Sequence, residues 1–231
     1  MLIEIKNLKK IYNQKTVVDI PSLSINEGEL IGLVGNNGAG KTTLFRLFLN
    51  LIRADDGVVL SKGNDVSKDD NWKSYTGSYL DEGFLIDYLT PEEYFQFIAE
   101  INNISQSTLV ERIKPFKEIF NDEVLNKGKY IRDLSKGNKN KVGIAAAMLI
   151  KPELLILDEP FANLDPTTQI RLKKLISEIK ARDVTIIISS HDLNHVTEVC
   201  DRIILLEKGI VIKDSEKTEG TLKELENYFT V

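Results

Sequence analysis

The residues most suited to chemistry begin with a glycine-rich segment, Gly35-Asn36-Asn37-Gly38-Ala39-Gly40-Lys41-Thr42-Thr43. An apolar run at 29–34 precedes it and a second apolar run at 44–49 follows, which predicts a strand, a loop and a helix. Glycines have no Cβ atom, so successive backbone N–H groups can turn inward around phosphate oxygens. The first turn of the helix adds unpaired N–H groups and the positive end of its dipole. The segment therefore predicts a site for nucleotide phosphates.

The spacing of this segment is that of a P-loop, with Gly35 and Gly40 separated by four residues and followed by lysine and threonine. Lys41 is expected to reach the outer phosphates, and the Thr42 hydroxyl to take one Mg²⁺ position. Thr43 is expected to contact an inner phosphate. The alternative is an ordinary glycine turn before a helix, and the match over all nine residues argues against it.

Two carboxylates, Asp158 and Glu159, follow the apolar run 154–157. A buried strand would deliver them at its C-terminal edge, where α/β sheets place ligands. Asp158 would orient Mg²⁺ through a water, and Glu159 would accept a proton from the attacking water. Two acids after a strand are more often solvated than catalytic, but after a P-loop they are the expected second half of a nucleotide site.

His191 follows another apolar run, 184–188, through two serines. A lone histidine is more often structural than catalytic. Because parallel strands end at a common edge, His191 could nevertheless contact a γ-phosphate there. His195 has no such positional argument.

The composition limits the classes of protein to which the chain can belong. The chain has 231 residues, of which 42% are hydrophobic and 28% charged, with a net charge of −5. These values are typical of a soluble globular protein and give no support to nucleic-acid binding through a basic face. Its one cysteine, Cys200, excludes an internal disulfide and is expected to be a packed thiol. No segment is apolar over the roughly 20 residues that span a bilayer, and the N-terminus has no signal-peptide core.

The hydrophobic pattern predicts an α/β fold with a mainly parallel sheet. Residues 61–74 are expected to form a surface loop with Trp72 as a packing anchor, and Thr90 to cap a helix that begins at Pro91. A second helix over 107–120 is expected to be interrupted at Pro115. The predicted strands cover 2–6, 16–20, 21–25, 29–34, 58–60, 74–80, 154–157, 184–188, 202–206 and 210–212, and further helices are predicted after Ser135, after Asp165 and over 218–229.

The segment Leu134-Ser135-Lys136-Gly137-Asn138 opens one of these helices, with Ser135 as a good N-cap. With the P-loop, the strand-end pair Asp158-Glu159 and His191 in this order, the chain resembles the nucleotide-binding subunit of ATP-binding cassette (ABC) transporters, of the export type. The resemblance runs from about residue 2 to about residue 213, and the order of the motifs makes it specific.

The resemblance implies the ABC ATPase fold as a single domain over 1–231. Segments 1–80 and 151–215 would form a RecA-like P-loop core with an N-terminal antiparallel β subdomain, 81–150 a helical subdomain, and 216–231 a short tail.

The same resemblance implies roles for residues. Residues Asn36 to Thr43 would bind ATP, Tyr12 would stack on adenine, and His191 would be the switch histidine. Two cassettes would pack head to tail, most simply as a homodimer, so that Ser135 and Gly137 serve the partner's nucleotide. Closure on ATP would drive a separate transmembrane permease from the cytoplasmic face of the membrane, and no nucleic-acid partner is expected.

Two departures from the family pattern affect the site. The family signature usually reads Leu-Ser-Gly-Gly-Gln, whereas this chain has Lys136 and Asn138 at its third and fifth positions. The family also has a glutamine that senses Mg²⁺ and the permease, and that position falls on Asp81, which is therefore predicted to be a Mg²⁺ ligand.

Two other functional classes are alternatives. A soluble ABC ATPase acting on ribosomes or DNA would usually have two cassettes in one chain or a long coiled-coil insertion, and neither occurs here. A regulatory module that binds ATP without hydrolysis is disfavoured by the presence of Glu159.

Overall fold

The computed structural model describes residues 1–230. Its strands form a four-stranded and a six-stranded sheet. The strands are β1 Ile3–Tyr12, β2 Lys15–Ile25, β3 Leu30–Val34, β4 Asp56–Ser61, β5 Asn64–Asp65, β6 Thr76–Tyr79, β7 Leu154–Asp158, β8 Thr185–Ser190, β9 Arg202–Glu207 and β10 Ile210–Glu216.

The six-stranded sheet has the order β10-β9-β3-β8-β7-β6. Its strands run parallel except for β10, which pairs antiparallel with β9. The four-stranded sheet, β2-β1-β4-β5, is antiparallel. The predicted α/β fold with a mainly parallel sheet is confirmed.

Strands β3, β7 and β8 are buried along their whole lengths. A parallel sheet covered on both faces requires such continuous apolar strands. The register pairs Val34 with Ser190 and Asp158 with Ser189, so the three strands end side by side. Whatever follows them in the chain is brought to one edge of the sheet.

The helices are α1 Lys41–Phe48, α2 Pro91–Ile101, α3 Gln106–Ile113, α4 Lys117–Phe120, α5 Lys136–Leu149, α6 Pro166–Lys180, α7 Leu193–Val199 and α8 Thr221–Thr230. The predicted start of α2 is confirmed, since Thr90 and Glu93 form a reciprocal capping box. The predicted interruption is also confirmed, because a 3-10 turn containing Pro115 separates α3 from α4. Helices α2 to α5 all lie in the chain between β6 and β7.

The N-terminal strands differ from the prediction. The structure has one continuous strand, β2, where two pieces were predicted over 16–25, and β1 continues to Tyr12 rather than ending at residue 6. The ladder pairs Leu8 with Ile20 and Lys6 with Ser22, which leaves Pro21 outside the regular pairing. Because β2 is an edge strand, the missing N–H of Pro21 breaks no second ladder.

The two faces of the parallel sheet belong to different apolar clusters. Leu155 and Leu157 of β7 pack with residues of α2, α5 and α6. Leu154 and Ile156, on the opposite face, pack with residues of α1 and of the antiparallel sheet. The period-two alternation of a strand thus places the sheet between a helical layer and a mixed layer.

Two packing predictions are confirmed. Trp72 is buried and its Nε1 donates to the Val66 carbonyl at 3.1 Å. The segment around it is less irregular than predicted, because it contains β5 and a 3-10 turn over Asn71–Ser74. Cys200 is fully buried, and burial raises the pKa of its thiol.

Among residues 1–230, no helix has both the length and the apolar character needed to cross a bilayer.

Candidate nucleotide site

The P-loop lies between the end of β3 and the start of α1. Gly40 has φ of 107°, and a Cβ atom there would lie 2.7 Å from the Val17 carbonyl oxygen. A Cβ on Gly35 would lie 2.3 Å from the Leu206 carbonyl oxygen. Glycine is therefore required at both ends of the loop by the backbone packed around it. Between them, Ala39 N–H donates to the Asn36 carbonyl at 3.0 Å, which holds the loop in a turn.

The first residue of α1, Lys41, is almost entirely buried. Its Nζ donates to the Gly35 carbonyl at 2.6 Å and lies 3.7 Å from Glu159 Oε1. The lysine side chain therefore folds back over the loop, and its charge lies between the P-loop and the end of β7. Thr42 and Thr43 follow it in the first turn of the helix.

Asp158, the last residue of β7, is buried, and both of its carboxylate oxygens accept hydrogen bonds. Thr42 Oγ1 donates to Oδ2 at 2.5 Å, and the Ser189 hydroxyl donates to Oδ1. Burial raises the pKa of the Asp158 carboxyl, while the two hydroxyl groups act in the opposite direction. Thr42 and Asp158 together offer hard oxygen donors, which fits the ligand preference of Mg²⁺.

Glu159 lies just beyond the strand, in a left-handed backbone conformation with φ of 48°. This conformation is less favourable for a residue with a side chain, and thirteen other non-glycine residues among those described also have positive φ. Its N–H donates to Ser189 Oγ at 3.0 Å, and its Oε2 lies 2.9 Å from His191 Nδ1. The three residues assigned to catalysis from the sequence, Lys41, Glu159 and His191, are thus brought together.

Ser189 was missed by sequence reasoning although it contacts both carboxylate residues. It is fully buried and joins Asp158 to the backbone of Glu159. The signal that could have found it is a pair of hydroxyl residues closing the apolar run of β8, next to a strand that ends in acids. His195, which had no positional argument, has its ring 4.8 Å from the ring of Phe161.

Asp81 follows β6 and lines a cavity of about 200 Å³ that Asp158, Glu159 and Lys136 also line. Its Oδ1 accepts from Gly83 N–H at 2.7 Å, and its Oδ2 lies 3.6 Å from an Arg46 terminal nitrogen. In the chain from Met1 to Thr230, no three His, Cys, Asp or Glu side chains form a cluster of metal-ligating groups. Asp81 therefore shares this cavity with Asp158 but is paired with the guanidinium group of Arg46.

The signature-like segment begins α5. Ser135 caps the helix by accepting from Asn138 N–H at 3.2 Å. A Cβ on Gly137 would lie 2.4 Å from the carbonyl oxygen of Asn163, in the loop that follows Glu159. The beginning of α5 therefore packs against that loop rather than being an isolated surface feature.

Tyr12 is exposed at the end of β1, where it pairs with Lys15 of β2. The carbonyl of Val17, two residues further along β2, is the group that lies next to Gly40. The hairpin that carries Tyr12 is therefore beside the P-loop, and the Lys10 Nζ lies 5.1 Å from the centre of the tyrosine ring.

A larger cavity, of about 650 Å³, lies at the opposite ends of β7 and β8. Leu155 and Thr185 line it together with residues of α3, α5 and α6. None of the residues that we assign to phosphate or metal binding lines this larger cavity, whereas Asp158 and Glu159 line the smaller one.

The chain is similar to many known proteins. A family model described as ABC transporter matches residues 18–162, which is more than half of the chain. The uncharacterized ABC transporter ATP-binding protein YhaQ of Bacillus subtilis (strain 168) is 34% identical over 99% of this chain and 74% of its own length. A solved structure described as the ATP binding subunit of an ABC transporter has a TM-score of 0.84 and 27% identity, covering 100% of this chain and 94% of the other.

The names of other relatives include both an import protein and an export protein. The methionine import ATP-binding protein MetN of Carboxydothermus hydrogenoformans is 33% identical over 94% of this chain and 67% of its own length. The lipopolysaccharide export system ATP-binding protein LptB of Haemophilus influenzae is 32% identical over 90% of this chain and 87% of its own length. With the P-loop and the strand-end carboxylates in place, the chain belongs to the ABC transporter family as an ATP-binding subunit with a P-loop ATPase cassette.

Proposed function

We propose that this subunit hydrolyses Mg-ATP to power a separate membrane permease that exports its substrate. The observation that carries the proposal is the convergence of Lys41, Asp158, Glu159 and His191 at the common edge of β3, β7 and β8. That edge is where α/β sheets bind ligands.

In this proposal ATP binds through the P-loop backbone and through three side chains of α1. Lys41 transfers its Nζ from the Gly35 carbonyl to the β- and γ-phosphates, because a phosphate oxygen is the better partner for an ammonium group. Thr42 contributes its hydroxyl to the metal position and Thr43 contacts an inner phosphate. Tyr12 stacks on adenine.

The magnesium position is assigned to Thr42 and Asp158, which are already hydrogen-bonded to each other. When bound, Mg²⁺ would neutralise charge on the phosphates. Burial raises the pKa of Asp158 because it disfavours the charged form, and a bound cation would offset that cost. Asp81 is an additional candidate ligand because it lines the same cavity as Asp158.

Glu159 is assigned as the general base. Its carboxylate would accept the proton of the water that attacks the γ-phosphate, and His191 would orient the carboxylate from 2.9 Å. Ser189 fixes the backbone of Glu159 through the N–H of that residue, so the left-handed conformation is maintained from a buried strand.

The assembly proposed is a head-to-tail homodimer. The exposed Ser135 at the beginning of α5 and the neighbouring Gly137 would serve the nucleotide of the partner subunit. Helix N-termini present free N–H groups to anions, and Lys136 would add a positive charge there. The choice of export rests on Lys136 at a position where the family usually has glycine.

The permease is proposed to dock beside the helices between β6 and β7. Four large apolar side chains in the segment 84–101 are exposed to solvent, namely Phe84, Tyr88, Phe97 and Ile101. Exposed apolar groups of this kind are typical of interaction surfaces. The subunit would then work at the cytoplasmic face of the membrane.

The test is a pull-down from detergent-solubilised native membranes with tagged Glu159→Gln protein, ATP and Mg²⁺. This variant should trap the closed dimer and retain its partner. Stoichiometric recovery of a polytopic membrane protein supports the proposal, and the sequence of that protein would report direction and substrate. Recovery of ribosomes, nucleic acid or only soluble proteins would contradict it. The matched control is Lys41→Ala, which should bind little ATP and recover less permease.

A further inference from the structure

The loop from Glu159 to Asp165, between β7 and α6, is held by two side-chain amides. Asn140 Nδ2 donates to the carbonyls of Pro160 at 3.0 Å and Ala162 at 2.9 Å. Gln169 Nε2 donates to the carbonyls of Phe161 at 3.1 Å and Leu164 at 3.2 Å. We call these two residues the amide clamp.

The clamp satisfies carbonyls that have no partner in a helix or strand. A buried carbonyl without a hydrogen bond costs about 1–3 kcal/mol, so losing either amide would allow the loop to rearrange. Asn140 is 5% exposed and projects from α5 into the protein. The two amides therefore determine the conformation of the loop that begins with Glu159.

The two members of the clamp differ in the helix to which they belong. Gln169 is in α6, which the loop itself leads into. Asn140 is in α5, a little more than one turn after Ser135 and slightly less than one turn after Gly137. Gly137 also packs on the Asn163 carbonyl, so α5 contacts the loop at two successive turns.

We propose that Asn140 is a positioning residue that couples the two nucleotide sites of the dimer. Within one subunit it would link Glu159, the general base of that subunit's own site, to the signature segment, which contacts the nucleotide in the partner's site. This inference rests on the head-to-tail dimer proposed above. When α5 shifts on meeting the partner's ATP, the two hydrogen bonds of Asn140 carry the shift to Pro160, the residue next to Glu159. The position of the general base in each site would thereby depend on whether nucleotide is bound in the other site.

Gln169 provides a matched control because it holds the same loop from α6 rather than from the signature helix α5. We would compare Asn140→Leu with Gln169→Met, each of which keeps the approximate shape and removes the donors. Four measurements are needed: melting temperature, affinity for a fluorescent ATP analogue, kcat, and the Hill coefficient of ATPase activity against ATP concentration.

For Asn140→Leu we expect analogue affinity within about twofold of the parent, since no atom of the P-loop is changed. We expect kcat to fall about tenfold or more and the Hill coefficient to fall from near two towards one, two being its limit for two sites. Gln169→Met should lower kcat while retaining the parent's Hill coefficient.

Equal Hill coefficients in the two variants would overturn the inference and leave Asn140 as a structural residue. If Asn140→Leu does not fold, Asn140→Asp replaces the donor by an acceptor in the same shape, and the same comparison with Gln169→Met applies. A parent protein that neither dimerises as Glu159→Gln nor shows cooperativity would contradict the proposed dimer, and the coupling with it. A cooperative parent with a cooperative Asn140 variant contradicts the coupling alone.

Discussion

The Thr42 hydroxyl donates to Asp158 Oδ2 at 2.5 Å and joins two motifs that lie 116 residues apart in the chain. One belongs to the first turn of α1 and the other ends β7. The Ser189 hydroxyl holds the second oxygen of the same carboxylate. Both carboxylate oxygens of Asp158 therefore accept hydrogen bonds from neutral hydroxyl groups. These donors do not neutralise the buried negative charge of the carboxylate, which a bound cation would complement.

That buried charge predicts a stability effect at Asp158. Because burial raises the pKa of its carboxyl in the folded state, ionisation of Asp158 costs stability, and the cost is present at pH values above the raised pKa. We expect Asp158→Asn to raise the melting temperature of the nucleotide-free protein at pH 7 by about 2–4 °C. The gain should shrink as the pH falls through the raised pKa of the folded-state carboxyl, because the parent Asp158 is then protonated and no longer bears the cost of a buried charge.

Thermal unfolding followed by circular dichroism over pH 4 to 8 would measure this effect. Asp158→Asn should also lose Mg²⁺-dependent ATPase activity, so stability and function would change in opposite directions. A variant less stable than the parent at every pH would show that the Thr42 and Ser189 hydrogen bonds outweigh the cost of the buried charge.

The P-loop and the strand-end carboxylates were predictable because each is a local pattern. A glycine loop between an apolar strand and a helix, or two acids after a buried strand, can be found within about twenty consecutive residues. The fold class followed from the same alternation of apolar runs. The burial of β7 and β8 confirms that part of the argument.

Ser189, Asn140 and Gln169 were not predictable because their roles depend on contacts between distant segments. A serine after an apolar strand has many possible partners, and only the register of β7 against β8 places Ser189 beside Asp158. The sequence likewise predicted α5 to be helical without indicating that Asn140 faces the loop after Glu159. Side-chain partners across a fold require the three-dimensional arrangement.

The pairing of Glu159 with His191 leads to a prediction about catalysis. If Glu159 is the base, Glu159→Gln should lower kcat by roughly 10²- to 10⁴-fold and leave ATP affinity almost unchanged. His191→Ala should lower kcat by less, since it would orient Glu159 from 2.9 Å. The double variant should be no slower than Glu159→Gln alone, because His191 would act only through Glu159. Multiplicative losses in steady-state ATPase assays would show that they act independently.

Gly137 is the site of a prediction about helix packing. Replacing a helical glycine by alanine usually stabilises by about 0.5–1 kcal/mol. At Gly137 the new Cβ would lie 2.4 Å from the Asn163 carbonyl oxygen, so we expect Gly137→Ala to destabilise the protein and to reduce ATPase activity. Gly220→Ala is the control, because its nearest contact, Thr218 Oγ1, is 4.0 Å away. Equal melting temperatures for the two variants would contradict the close packing of α5 on the loop.

Tyr12 is predicted to act through its ring alone. Stacking of aromatic groups contributes about 0.5–1.5 kcal/mol, so Tyr12→Ala should weaken ATP binding by roughly 2- to 12-fold. Tyr12→Phe retains the ring and should bind like the parent. Fluorescence titration with an ATP analogue measures both. A loss in Tyr12→Phe as large as that in Tyr12→Ala would assign the effect to the hydroxyl group instead.

Asp81 and Arg46 lead to a prediction about metal binding. The carboxylate lies 3.6 Å from Arg46, and the Nε of that arginine is buried without a hydrogen-bond partner. Arg46 therefore competes with a cation for Asp81 and also repels that cation. Arg46→Gln should lower the Mg²⁺ concentration that half-saturates binding of an ATP analogue, and Asp81→Asn should raise it. If the arginine acts through Asp81, adding Arg46→Gln to Asp81→Asn should change this concentration less than Arg46→Gln does alone. Purely additive effects on this concentration would show that Asp81 and Arg46 influence metal binding separately. The ion pair between them would then not explain how either residue affects the metal.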